Sequence, residues 1–184
     1  MAASRSVSAE RTGRRMGFWP ALVRVLQNRL VEGRRVARLF DDQAFRRIED
    51  AIAAGESRHR GEIRFALEQD LTVDDAMRTA AAREHALAAF ARHGVWDTEE
   101  NSGVLIFLQW PLHGVEIVAD RGVSRLVPEG VWTGAIERIA RACRDGRPVN
   151  GVIEAIGLID EALADVMPAA GDDRDELSNR PIRL

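Results

Sequence analysis

The segment Val104-Leu-Ile-Phe-Leu108 constrains the fold of this 184-residue chain more than any other feature. It has no polar position, so it lacks the alternation of a half-exposed strand. It is also far shorter than the roughly 20 residues needed to cross a bilayer. Such a run is a strand covered on both faces. Helices must then lie on either side of the sheet that contains it. The expected fold class is therefore α/β: a small mixed β-sheet flanked by helices on both faces, an αβα sandwich.

Neighbouring segments fill in the sheet. Ile63, Phe65 and Leu67 alternate with Glu62, Arg64 and Glu68, which predicts a strand over 62–68. Val115 to Ala119 predicts another, joined to the central run by the short turn Trp110 to Gly114, so that pair is antiparallel. Between the first two strands lies a helix opened by Thr72 and Asp75 in the manner of a capping box and stopped by Gly94. Met77, Ala80, Leu87 and Ala91 are read as its inner face. A helical crossover makes the strands it joins parallel. Ahead of the sheet, Asp41 or Asp42 caps a helix that turns Phe45, Ile48 and Ile52 inward. Behind it, one helix buries Trp132, Ile136, Ile139 and Cys143, and a second buries Val152, Ile156, Ile159, Leu163 and Val166.

The length suits one domain with extensions: a basic N-terminal extension over 1–38, a body over 39–168 and a polar C-terminal tail over 169–184. Residues 1–17 have no apolar period and are expected to be disordered. Trp19, Val23, Leu26 and Leu30 form the apolar stripe of one amphipathic helix that follows. All 26 basic residues are Arg, unevenly spread. Residues 1–38 hold nine Arg and two Glu, a net of +7, and the rest hold 17 Arg and 27 acids, a net of −10. The extension suits an anionic membrane surface or a membrane protein partner. The acidic body would repel phosphate, so no nucleic acid is expected. The best candidate for a span, Phe18 to Leu30, is interrupted by Arg24, Gln27, Asn28 and Arg29, so neither a transmembrane helix nor a signal peptide is expected. The single cysteine excludes an internal disulfide, which fits a cytoplasmic setting, at most peripheral to the membrane.

The topology gathers polar residues at one edge of the sheet, where the first strand starts, the second starts and the third ends. Glu56, His59, Arg60 and Glu62 come from the first position, Asp97, Thr98, Glu99, Glu100 and Asn101 from the second, Asp120 and Arg121 from the third. Asp97, Glu99, Glu100, Asn101 and Asp120 are the candidate ligands of a hard divalent cation, calcium or magnesium. Such ions prefer oxygen donors and relieve repulsion between carboxylates. Glu56, His59, Arg60, Glu62 and Arg121 complete the polar rim. The alternative is a rim of ion pairs, with Arg60 and Arg121 neutralising the same acids. Glu56 and His59 are read as a helix-end pair bonding nearby backbone, because a carboxylate-bridged iron site needs a second such pair. His85, His93 and His113 stand alone, and a protonated His93 would suit the end of its helix.

Chemistry-bearing motifs are otherwise missing. The sequence has no Walker loop, no G-x-G-x-x-G, no H-E-x-x-H and no G-x-S-x-G, so neither an organic cofactor nor a catalytic residue is assigned. Cys143 lies on an apolar helix face, a poor place for a nucleophile.

Three segments resemble the shorter bacterial proteins of the TPM-domain family: Glu56-Ser-Arg-His-Arg-Gly-Glu-Ile-Arg-Phe-Ala-Leu-Glu68, Gly94-Val-Trp-Asp-Thr-Glu-Glu-Asn-Ser-Gly-Val-Leu-Ile-Phe107 and Glu116-Ile-Val-Ala-Asp-Arg-Gly122. The resemblance runs from Leu39 to Met167. The family's Asn-Asn-Gly entry to its second strand reads Asn101-Ser102-Gly103 here. The resemblance implies an αβα sandwich, calcium binding in some members, a weak phosphatase activity in a plant relative and a LemA-type membrane protein as neighbour. The resulting expectation is a TPM-domain binding protein, linked to a divalent cation and working with a membrane protein. Its rival is a metal-dependent phosphatase-like hydrolase in which the cation polarises a phosphoryl oxygen. The sequence offers no nucleophile for the rival.

Overall fold

The computed structural model of the chain describes residues 3–6, Trp19, Val23, Val25, 32–70, Thr72, 82–169 and 176–184. Five strands form one sheet: β1 Ala3–Ser6, β2 Glu62–Glu68, β3 Gly103–Gln109, β4 Gly114–Ala119 and β5 Ile182–Arg183, in the order β1-β4-β3-β2-β5. β3 is buried at every residue. β2 runs parallel to it, with Glu62 opposite Gly103 and Glu68 opposite Gln109. β4 runs antiparallel, with Val104 opposite Ala119. These three strands lie where the sequence places them, with the predicted directions.

Six helices complete the described fold: α1 Gly33–Leu39, α2 Asp42–Glu56, α3 Ala82–Arg92, α4 Arg121–Leu126, α5 Glu129–Arg144 and α6 Pro148–Val166. Asp41 caps α2, its Oδ1 accepting the Ala44 N–H at 2.7 Å. On one face of the sheet, Ile63, Phe65 and Leu67 of β2 and Val104, Ile106 and Leu108 of β3 meet Ile48 and Ile52 of α2, Ile136 and Ile139 of α5, and Ile156 and Ile159 of α6. Phe40, just after α1, stacks on Phe65 with ring centroids 6.2 Å apart. On the opposite face, Ala66, Leu105, Phe107 and Val118 meet Ala86, Ala89 and Phe90 of α3. Burying one large apolar side chain stabilises by about 1.5–3 kcal/mol, so a strand buried on both faces anchors the whole body.

The structure departs from the sequence reading in five places. Residues 3–6, expected to be disordered, pair antiparallel with β4, Ala3 opposite Ala119. Extended backbone at an open sheet edge gains ladder hydrogen bonds without needing an apolar pattern. The rest of 1–17 lies outside the described residues. Of the described residues in the next stretch, Trp19 and Val23 are 73% and 50% exposed and Val25 is buried at 9%; Leu26 and Leu30 lie outside the described residues. On α3, Leu87 is 38% exposed and Ala91 is exposed, whereas Ala82, Ala86, Ala89 and Phe90 face inward. The bulk of Phe90 sets the rotation of this helix. Asp75, Met77 and Ala80 lie outside the described residues. A short helix, α4, follows β4 directly. Finally, the C-terminal tail re-enters the sheet, with Ile182 opposite Ala66 in parallel pairing. Among the described residues no helix is long and apolar enough to cross a membrane.

The corrected face of α3 has a direct test. Phe90→Ala is expected to cost about 3 kcal/mol and Leu87→Ala less than about 1 kcal/mol in urea unfolding. Equal costs would restore the face read from the sequence.

Candidate functional site at the acidic rim

The edge where β2 and β3 begin and β4 ends is held by its own backbone. The Glu62 N–H donates to Ser102 O at 3.2 Å and the Asp120 N–H to Gly103 O at 2.9 Å. Thr98 braces the entry loop, its Oγ1 accepting the Ser102 N–H at 2.8 Å. Asn101 adopts a left-handed conformation with φ 54°. Its carbonyl accepts the N–H groups of Gly122 at 3.1 Å and Val123 at 3.4 Å. The contact requires glycine: a Cβ at Gly122 would stand 2.3 Å from Glu100 O, and one at Gly103 would stand 1.8 Å from Val95 O. Asn101-Ser102-Gly103 and the start of α4 are therefore wedged together.

The rim side chains divide by burial. Asp97 and Glu99 are exposed. The Glu100 carboxylate bonds the Arg60 guanidinium, whose Nε also donates to Pro168 O at 3.2 Å. Asp120 is 7% exposed and caps α4, its Oδ1 accepting the Arg121 N–H at 2.6 Å. Glu62 is 6% exposed and accepts the backbone N–H groups of Glu176 at 3.0 Å and Leu177 at 3.3 Å. Glu56 accepts from Asn179 Nδ2 at 2.6 Å, and the Glu99 N–H donates to Glu176 Oε2 at 2.8 Å. Arg121 lines an open hollow of about 390 Å³ with Asn101, Gly122, Arg125 and Leu126. Asp97, Glu99, Glu100, Asn101 and Asp120 thus share one rim, but they do not converge on a point. Among the described residues no group of three or more His, Cys, Asp or Glu is placed to hold a metal ion.

His59 turns away from Glu56 into the body. It is 2% exposed, its Nδ1 accepts the Gly61 N–H at 3.2 Å, and its Nε2 faces Asp160 Oδ1 at 3.1 Å. With Nδ1 as acceptor, Nε2 carries the proton and donates to the carboxylate. Asp160 is itself 3% exposed, with Arg58 at 3.6 Å as a further partner. The sequence carried a faint signal for it. Asp160 lies four residues after Ile156, on the apolar stripe of α6, where an acid needs a buried partner.

At the opposite end of the sheet His85 is not solitary. Its Nδ1 lies 2.7 Å from Glu68 Oε1, and Gln109 Nε2 donates to Glu68 Oε2 at 2.6 Å. At His93 burial lowers the pKa, with Arg64 and Arg92 adding to the effect, so the protonated form that would suit the end of α3 is disfavoured. Burial pushes the Cys143 thiol up to about 11, which keeps it protonated and unreactive at neutral pH.

An open mixed sheet layered between helices, with a glycine-wedged acidic rim at the strand ends, defines a three-layer α/β domain of the TPM type. The TPM domain model matches residues 35–162, and the chain belongs to the TPM-domain family. The NMR structure of BA42 protein from the psychrophilic bacterium Bizionia argentinensis is similar, with a TM-score of 0.68 and 26% identity. That match covers 77% of this chain and 93% of that one. No curated protein matches the chain.

Two expected outcomes follow from the buried groups. His59→Ala takes from the buried Asp160 its shortest hydrogen-bond contact and is expected to cost about 3 kcal/mol in chemical unfolding, with a cost below about 1 kcal/mol ruling the pair unimportant. Cys143 is expected to react with iodoacetamide at pH 8 about 100-fold more slowly than an ordinary thiol. Reaction at the ordinary rate would show a thiol that is neither buried nor raised.

Proposed function

We propose that this chain is a TPM-domain binding protein whose acidic rim takes a divalent cation, calcium or magnesium, with a Kd of about 0.1–1 mM. The observation that carries the reading is the strand register, which delivers Asp97, Glu99, Glu100, Asn101 and Asp120 to one edge with Asp97 and Glu99 exposed. Cation binding there draws Glu100 from Arg60, and that exchange keeps the affinity low. No rim residue is assigned as a nucleophile, so binding is favoured over hydrolysis. The +7 charge of residues 1–38 suits an anionic membrane surface or a membrane protein beside it, which would hold the chain at the cytoplasmic face.

Calorimetry and thermal melting test the rim. Calcium at about ten times its Kd is expected to add about 1.4 kcal/mol, a rise of roughly 3–5 °C in Tm. Replacing Asp97 and Asp120 together with Asn should abolish the rise and spare the fold, because Asn still caps α4. The reading fails if millimolar calcium gives neither heat nor stabilisation, or if the double variant responds as the parent does. Sedimentation with phosphatidylglycerol vesicles, released by about 0.5 M salt, is the expected sign of the membrane contact. Pelleting that persists unchanged in high salt, or none at low salt, would overturn it.

A further inference from the structure

We propose that the outer edge of β2 is a docking site for an extended, arginine-bearing peptide, and that residues 176–184 occupy it in cis. The segment is held in the way a separate peptide would be held, by strand addition and side-chain capture. Ladder pairing involves only Ile182 and Arg183. Two further bonds close it, from Leu184 N to Leu67 O at 2.9 Å and from Gln69 N to Leu184 O at 3.1 Å. Side chains alternate across the edge. Ile182 joins the α3 layer, with Leu177 and Leu184 packed against that layer. Arg183 turns to α2, its guanidinium 4.2 Å from the centroid of the Phe45 ring and 2.7 Å from Asp42. Each receiving side chain is an acid that meets a donor of the segment: Asp42 takes the Arg183 guanidinium, Glu56 the Asn179 amide and Glu62 the N–H groups of Glu176 and Leu177. That complementarity sets the partner's chemistry: apolar residues at alternate positions, with an arginine between them seated on Phe45 and Asp42.

The hold is local and incompletely packed. An open hollow of about 630 Å³ remains between α2 and the segment, lined by Phe45, Arg46 and Glu49 on one side and Arg180, Pro181 and Arg183 on the other. With Pro181 and Ile182 as its buried apolar residues, the segment opens at lower free energy than the core, although the bonds from the Glu176 and Leu177 N–H groups to Glu62 must break as well. Once open, the β2 edge offers unpaired backbone groups to an incoming strand.

Two measurements on the full chain, with EDTA present so that the rim reading plays no part, test this. In native-state hydrogen exchange the amides of Gln69 and Leu184 are expected to exchange at least about 100-fold faster than that of Ile106 in β3. Exchange of all three at one common rate would make the segment part of the cooperative core and overturn the proposal. The second measurement weakens the cis contact with Ile182→Asp and Arg183→Glu and adds a labelled peptide of residues 176–184. Fluorescence anisotropy should show at least tenfold tighter binding than with the parent chain, and little binding of the same peptide carrying Arg183→Glu. A folded variant that binds this peptide no better than a scrambled one would overturn the proposal. If the variant does not fold, the exchange experiment on the parent chain decides.

Discussion

Parallel pairing of β2 with β3 fixes more of this molecule than any other interaction. Both strands lie between helical layers, and their side chains alternate between the two cores. A slip of one residue would turn Arg64 and Glu68 towards Ile48, Ile136 and Ile156, and Phe65 towards α3. That cost pins Glu62 opposite Gly103. Gly103 O then accepts the Asp120 N–H, and the Asn101 carbonyl meets the first residues of α4. The acidic rim is thus a consequence of core packing, and changes to its side chains should leave the backbone frame in place.

Elements with an apolar period were readable from the sequence. The alternation of Ile63, Phe65 and Leu67, the unbroken run of β3, and the stripes of α2, α5 and α6 each report a packing surface directly. The edge strands β1 and β5 were not readable, because two to four residues bonded through backbone at a free edge leave no pattern. The inner face of α3 is hard to read because alanines flank its large residues, and the periodicity points to Leu87 where Phe90 is the anchor. The candidate rim residues were legible as neighbours at one sheet edge but not in their bonding. Topology predicts that Glu62 and Glu100 reach one rim. It does not predict that Glu62 takes N–H groups 114 and 115 residues away, or that Glu100 meets Arg60.

Burial sorts the rim acids into two kinds. Glu62 and Asp120 sit nearly out of water, each bonded to backbone N–H groups, where a charged acceptor is well satisfied and costly to detach. Asp97 and Glu99 are exposed, and their charge is balanced mainly by solvent and ions. Under the proposed function a cation would meet the outer acids first and compete with Arg60 for Glu100, and the proposed Kd of about 0.1–1 mM reflects that competition. Asp120 spends Oδ1 on the α4 cap, and tighter binding would require Asp120 and Glu62 to turn more of their lone pairs from the cap and the C-terminal segment to the cation.

Both edges of the sheet are covered, and the two covers differ in kind. β1 pairs with β4 over four residues, whereas β5 pairs with β2 over two and adds backbone bonds at Leu184 and side-chain bonds to Glu62, Glu56 and Asp42. The second cover also reaches the rim: Glu176 bonds both Glu62 and the Glu99 N–H. Any ligand that displaces residues 176–184 therefore changes what surrounds Glu62 and Glu99. By linkage, a rim cation and a peptide on the β2 edge would alter each other's affinity by the same factor. Leaving, the segment takes backbone donors from Glu62 and takes the Glu176 carboxylate from the Glu99 N–H; the first change strengthens the negative field of the rim and the second weakens it, so the balance of the two sets the sign of the coupling.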